Sequence, residues 1–139
     1  MKTQQGTAVF LLRIALACGF LSAVASRLNL WGAQSSGWKK FVDYTAETNS
    51  FLPQSWASTI AVLSTAAELS FGILLLVGYQ IKGTARCASV LTLFFAVAMS
   101  ISFGIKEPLD YSVFAFSAGA FLLSTFSHYP WSLDQFLHQ

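Results

Sequence analysis

Long apolar runs separated by short polar stretches set the pattern of this chain. A membrane-crossing helix needs about 20 mostly apolar residues, because each residue rises about 1.5 Å and the hydrocarbon layer is about 30 Å thick. Four stretches meet that length: residues 7–29, with Arg13 inside and Arg27 near the end; 57–79, with Glu68 alone; 85–105, uncharged after Arg86; and 109–127, uncharged after Asp110. Gly78 and Gly83 flank a tight connection at Tyr79 to Thr84, and Pro108 stands where a helix can begin without losing a needed N–H. The pattern predicts an all-α integral membrane four-helix bundle, a single transmembrane domain over residues 1–139 with both termini on one side.

The one long connection, residues 30–56, carries its own periodicity. Trp38, Phe41, Val42 and Thr45 fall on one helical face and Lys39, Lys40, Asp43 and Glu47 elsewhere, which predicts a short interfacial helix within this loop, on the bundle or the headgroups. Trp31, Trp38, Tyr44 and Trp56 are expected as membrane-interface anchors on that face, with Tyr79, Tyr129 and Trp131 on the other.

Composition sharpens the reading. Of 139 residues 55% are hydrophobic and 10% are charged, against about 25% charged in soluble domains. With a net charge of +2 and no cluster of arginines, nucleic acid is excluded as a partner; the partner is the lipid bilayer. Lys and Arg divide evenly between the two sides: Lys2, Arg13, Lys82 and Arg86 against Arg27, Lys39, Lys40 and Lys106. Positive-inside counting therefore gives no orientation. Lys2, the apolar run and Ala23-Val24-Ala25 imitate a cleavable leader, but Arg13 within the apolar region favours a retained span.

Glu68 is the sharpest chemical signal. At the middle of its span it is about 16 Å from either end, and an intramembrane carboxylate must pair, protonate or face a wet cavity. Ser64, Thr65 and Gly72 share its helical face, a surface suited to helix packing. Two roles stay open, a proton-handling or ligand-orienting carboxylate and an inert interhelical pin. Arg13 is the expected partner, about 9 Å inside the first span. It nevertheless lies opposite the small-residue stripe Ala15, Cys18, Gly19, Ser22, Ala25 and Asn29, on the face of Phe20, Val24 and Arg27. The alternative for Arg13 is to snorkel to the headgroups.

Cys18 and Cys87 sit at different depths without a Cys-x-x-Cys pair, and are expected as buried small apolar residues. His128 and His138 lack the companions of a metal or haem site, so no metal is assigned and no cofactor is evident from motifs; the phosphate-loop, dinucleotide and serine-nucleophile signatures are missing as well.

The run Leu11 to Leu16 around Arg13, the segment Glu68-Leu69-Ser70-Phe71-Gly72-Ile73-Leu74-Leu75-Leu76-Val77-Gly78 followed by a basic turn, and the closing Trp131-Ser132-Leu133-Asp134 together resemble the DoxX family of small bacterial four-span membrane proteins. The resemblance leaves out the Leu30 to Trp56 segment. It implies a plasma (inner) membrane protein with cytoplasmic termini, related to the small subunit of a thiosulfate:quinone oxidoreductase; other relatives are associated with membrane redox or thiol-stress assemblies. Carried over by position, Arg13, Glu68 and Asp134 are the functional candidates, without a catalytic motif among them. The family's Gly-x-Gly before the terminal Ser-Leu-Asp is replaced here by His128-Tyr129-Pro130.

On this basis the expected function is a membrane subunit of a quinone-linked redox assembly. The bundle would supply the anchor and a quinone pocket near Glu68, and a soluble or membrane oxidoreductase subunit the electrons. The alternatives are a small transporter or channel, with Glu68 as coupling group, and a non-catalytic structural or chaperone-like membrane protein.

Overall fold

The computed structural model describes residues 2–138, all helix, turn or loop. The long helices are α1 (Lys2–Arg27), α3 (Ala57–Val77) and α4 (Ile81–Phe103), each long and apolar enough to cross a membrane. The connection between α1 and α3 carries α2 (Trp38–Thr48), as its amphipathic pattern demands. Of the face expected to turn inward, Thr45 is buried and Trp38, Phe41 and Val42 half-buried, while Lys39, Lys40, Asp43 and Glu47 are exposed. α2 packs on α3 and α4 instead of lying apart from the bundle. The Ser102 hydroxyl donates to the Thr48 carbonyl at 2.5 Å, and the Tyr44 ring stacks on Phe103 at 5.8 Å.

The fourth apolar stretch departs from expectation. It forms not one span but two pieces, α5 (Lys106–Asp110) and α6 (Val113–Ser124), separated at Tyr111 and Ser112, where Ser112 adopts φ +57°. The 12 residues of α6 extend only about 18 Å, less than a hydrocarbon layer. α6 packs closely on α4. Ser89 Oγ donates to the Ser117 carbonyl at 2.9 Å and Ser117 Oγ to the Ser89 carbonyl at 2.8 Å, and Ala85, Ala88, Ala96 and Ala120 are buried in the interior. Small side chains let the backbones approach closely enough for these bonds, the packing mode available where lipid removes a hydrophobic drive. Since Ser117 is level with Ser89, α6 begins about 18 Å from the level of the α3–α4 turn, near mid-bundle.

That turn is tighter than predicted. Gly78 ends α3 in the left-handed conformation, φ +77°, and α4 begins at Ile81, so Gly83 is an ordinary helical residue. α7 (Leu133–Leu137) closes the chain beside this turn. Pro130 lies against Gly6, placing both terminal segments at one end of the bundle.

α1 is shifted along α3 relative to a pairing of span ends. Arg13 lies at Gly78, Phe20 and Leu21 at Gly72, and Arg27 at Thr65 and Glu68. The offset is about six residues, roughly 9 Å. The face of α1 turned inward is Val9, Arg13, Leu16, Ala17, Phe20 and Val24. The small-residue stripe opposite Arg13 is largely outward, with Ala15, Cys18, Ser22 and Asn29 exposed. Placing two arginines against lipid costs more than small-residue packing returns, so the arginine face is buried. Cys18 and Cys87 are likewise free thiols on the outer surface, not buried.

Candidate functional site

Two polar constellations result from this register. The first is at mid-bundle, where Glu68 projects from the inward stripe of α3 formed by Ser64, Thr65 and Gly72, all buried. Its partner is Arg27, the last residue of α1, with Nη1 2.6 Å from Oε2 and the two side chains 11% and 5% exposed. The expected Arg13–Glu68 pair does not form: the 9 Å offset carries Arg13 to the end of α3 and brings Arg27 level with the carboxylate. Arg27 Nη1 also donates to Thr65 Oγ1 at 3.0 Å, and the guanidinium lies over the Phe41 ring of α2, 3.7 Å from its centroid. The Arg27 guanidinium and the Glu68 carboxylate thus form a close, largely buried ion pair.

Two cavities border this pair and meet at Val113, the first residue of α6. One, about 130 Å³, lies under α2 and is lined by Arg27, Phe41, Tyr44, Thr48, Phe95 and Met99 among others. The other, about 180 Å³, runs between α1, α3, α4 and α6 and is lined by Phe20, Glu68, Thr92, Tyr111 and Phe116 among others. The start of α6 therefore borders both, and Tyr111 of the preceding break lines the second. Nothing in the sequence marks Arg27 for this role: at the end of an apolar run it reads as an interfacial residue. The usable signal was its place on the Arg13, Phe20, Val24 face.

The second constellation joins the other two candidates at the terminal end. Arg13, 2% exposed, donates from Nη2 to the Trp131 carbonyl at 2.7 Å and lies 5.3 Å from the Phe10 ring centroid, with Phe10 edge-on to Trp131 at 5.1 Å. Asp134 accepts the Gln80 N–H at 2.7 Å on one carboxylate oxygen and the Ile81 N–H at 2.8 Å on the other, while its own N–H donates to the Gly78 carbonyl at 2.9 Å. A carboxylate on the first free N–H groups of α4 satisfies orphan donors and meets the positive end of the helix dipole. The Ser-Leu-Asp segment is thus a clip on the α3–α4 turn, and Gly78 is required there because a side chain would collide with Arg13 and Ser132.

Of the expected anchors, Trp31, Trp56 and Trp131 are more than half exposed, Tyr44 and Tyr79 more than a third, and Trp38 is half-buried. Tyr129 is a correction. It is 8% exposed in the core with Val9, Ile81 and Leu123, and its hydroxyl donates to the Leu123 carbonyl at 3.0 Å, so it packs the interior instead of anchoring the surface. Burial raises its phenol above the usual tyrosine value, the charge of Asp134 adding to the effect and that of Arg86 opposing it. Among the described residues no group of three or more His, Cys, Asp or Glu is arranged to hold a metal ion.

The family model DoxX matches residues 8–103, well over half of the chain. The chain belongs to the DoxX family. The DoxX match runs from α1 through α4 and so includes the 30–56 segment, whereas the Ser-Leu-Asp clip lies beyond it. No curated protein and no solved structure matches the chain. Family and fold agree on a multi-pass membrane protein.

Proposed function

We propose that this DoxX protein is the membrane subunit of a quinone-linked redox assembly in the bacterial plasma membrane, with both termini cytoplasmic. The observation that carries the reading is the buried Arg27–Glu68 pair at mid-bundle, bordered by two mainly apolar cavities. A ring compound dissolved in the bilayer meets there aromatic and aliphatic walls, a guanidinium that can donate to a carbonyl oxygen, and a carboxylate that holds the guanidinium in place. Reduction of a quinone needs electrons and protons. The chain has no redox motif, so an oxidoreductase partner supplies the electrons while the bundle binds and orients the ring.

The test is affinity purification of the chain in mild detergent, with mass spectrometry of bound proteins and extracted lipids. The expected result is copurification of quinone and of an oxidoreductase subunit, the quinone lost in Arg27→Gln; recovery of neither overturns the reading. Reporter fusions after Leu137 and within residues 32–36 should place those sites on opposite sides, the first cytoplasmic.

One observation favours the transporter alternative. The fourth apolar stretch is broken at Tyr111 and Ser112 beside the Glu68 cavity, and interrupted helices at mid-depth are the usual setting of transport sites. Saturable uptake of an ion or small solute by proteoliposomes, abolished in Glu68→Gln, would select that reading over the redox one.

A further inference from the structure

The two cavities beside the ion pair are not equivalent. The one between α1, α3, α4 and α6 includes the Thr92 hydroxyl, whose hydrogen is already committed to backbone acceptors on α4, the Ala88 carbonyl at 2.8 Å and the Ser89 carbonyl at 3.1 Å. The cavity under α2 is different. It includes Thr48, 5% exposed, whose Oγ1 is buried without a hydrogen-bond partner among the described residues. The neighbouring Tyr44 phenol is its nearest polar group, in a weak and poorly aligned contact that leaves the Thr48 hydroxyl available to a better acceptor. An unpaired buried hydroxyl is costly and calls for an explanation. Arg27, on the same cavity, hydrogen-bonds among the described residues through Nη1 only, leaving Nη2 and Nε as unused donors.

Around those donors the walls are mostly aromatic and apolar, Phe41, Tyr44, Phe95 and Met99, with the Phe41 ring carrying the guanidinium itself. The volume, about 130 Å³, is on the scale of the roughly 150 Å³ apolar cavity known to take one benzene ring in another protein. Tyr44 lines the cavity and is also 38% exposed on the bundle surface, so only this helix and its side chains stand between the space and the outside.

We propose that the cavity under α2 is a binding site for a single planar ring bearing a carbonyl oxygen and entering from the bilayer, with the Thr48 hydroxyl and the free edge of the Arg27 guanidinium as its hydrogen-bond donors. The inference rests on the quinone reading for the nature of the ring, and on the cavity for its place. Glu68 is a positioning residue: it holds Nη1, which leaves Nη2 and Nε as the donors for the ring. A tail longer than the cavity leaves past Tyr44 into lipid.

The test uses the full chain in lipid nanodiscs and a benzoquinone carrying a short alkyl chain and one photoreactive azide, with a ring-free azidoalkane of equal length as control. Saturable labelling at Phe41, Thr45, Thr48 or Met99, competed by unmodified benzoquinone and not by the alkane, is expected. Thr48→Val should weaken binding about fivefold, the worth of one neutral hydrogen bond. Thr48→Ser should restore it, and Thr92→Val should leave it unchanged. Matching thermal melting of the Thr48 variants separates lost binding from lost fold. Saturable labelling at Phe116 or Tyr111 instead, or equal affinity in Thr48→Val, overturns this assignment and leaves the quinone reading standing. Labelling by the alkane alone, or no saturable labelling anywhere, overturns both.

Discussion

Removing Arg27 tests the core of the bundle most severely. Arg27→Leu leaves Glu68, itself 4% exposed, as a lone carboxylate in the interior, and removes the bond to Thr65 and the contact with Phe41. With opposite charges about 4 Å apart between centres, an effective dielectric near 20 gives about 4 kcal/mol of attraction. Breaking one side of a buried pair typically costs about 3–5 kcal/mol. Glu68→Gln keeps the shape and most of the packing, so alone it should cost about 1–2 kcal/mol. Combined with Arg27→Leu it removes the stranded charge, and the double variant should recover about 2–3 kcal/mol relative to additivity. Reversible unfolding in mixed micelles, followed by tryptophan fluorescence, supplies the four free energies of the cycle. A parallel cycle of Arg13→Leu with Glu68→Gln should be additive within about 0.5 kcal/mol, because Arg13 bonds to Trp131 instead. Additivity for Arg27 or strong coupling for Arg13 would refute the register of α1 against α3.

Three further outcomes follow from the terminal end and the phenols. Gly78→Ala forces a side chain into a left-handed turn and into Arg13 and Ser132, and should cost about 2 kcal/mol or more, read as a lower unfolding midpoint and reduced monodisperse yield. Asp134→Ala removes the carboxylate from the Gln80 and Ile81 N–H groups and should cost about 1–2 kcal/mol in the same unfolding assay, with Asp134→Asn intermediate. Tyr44 and Tyr129 are held above the ordinary phenol value, chiefly by burial in each case. Because the folded state binds those protons more tightly than the unfolded one, their contribution is intact below about pH 10 and is lost as pH rises through the folded values. Phenolate absorbance of Tyr44→Phe and Tyr129→Phe should therefore lack part of the late-titrating fraction.

The helices were readable because apolar length and the α2 periodicity are local properties. Thr45 and Phe41 turn inward as the spacing in residues 38–45 requires, and Ser64, Thr65, Glu68 and Gly72 share a buried face as their i, i+4 relation dictates. The partner of Glu68 was not readable, because the sliding of α1 along α3 is set by contacts distant in sequence. Leu21 against Gly72 and Arg13 against Gly78 fix it, and each could equally have been placed two turns away by composition. The break at Tyr111 and Ser112 escaped for a related reason. Neither residue is a Gly or Pro, and the docking of α6 on α4 through Ser89 and Ser117 joins residues 28 positions apart, beyond the reach of local pattern. Asp134 was legible as a candidate only by resemblance; its bonds to the start of α4 join residues more than fifty positions apart.

The most direct measurement is the infrared difference spectrum, oxidised minus reduced, of benzoquinone-loaded protein in lipid nanodiscs. A ring carbonyl held by the Arg27 guanidinium and the Thr48 hydroxyl should absorb at lower frequency than the same quinone in empty nanodiscs, and the shifted band should move again in Arg27→Lys and Thr48→Val. A carbonyl band identical to that of quinone in lipid, unchanged in both variants, would contradict a quinone site in this bundle.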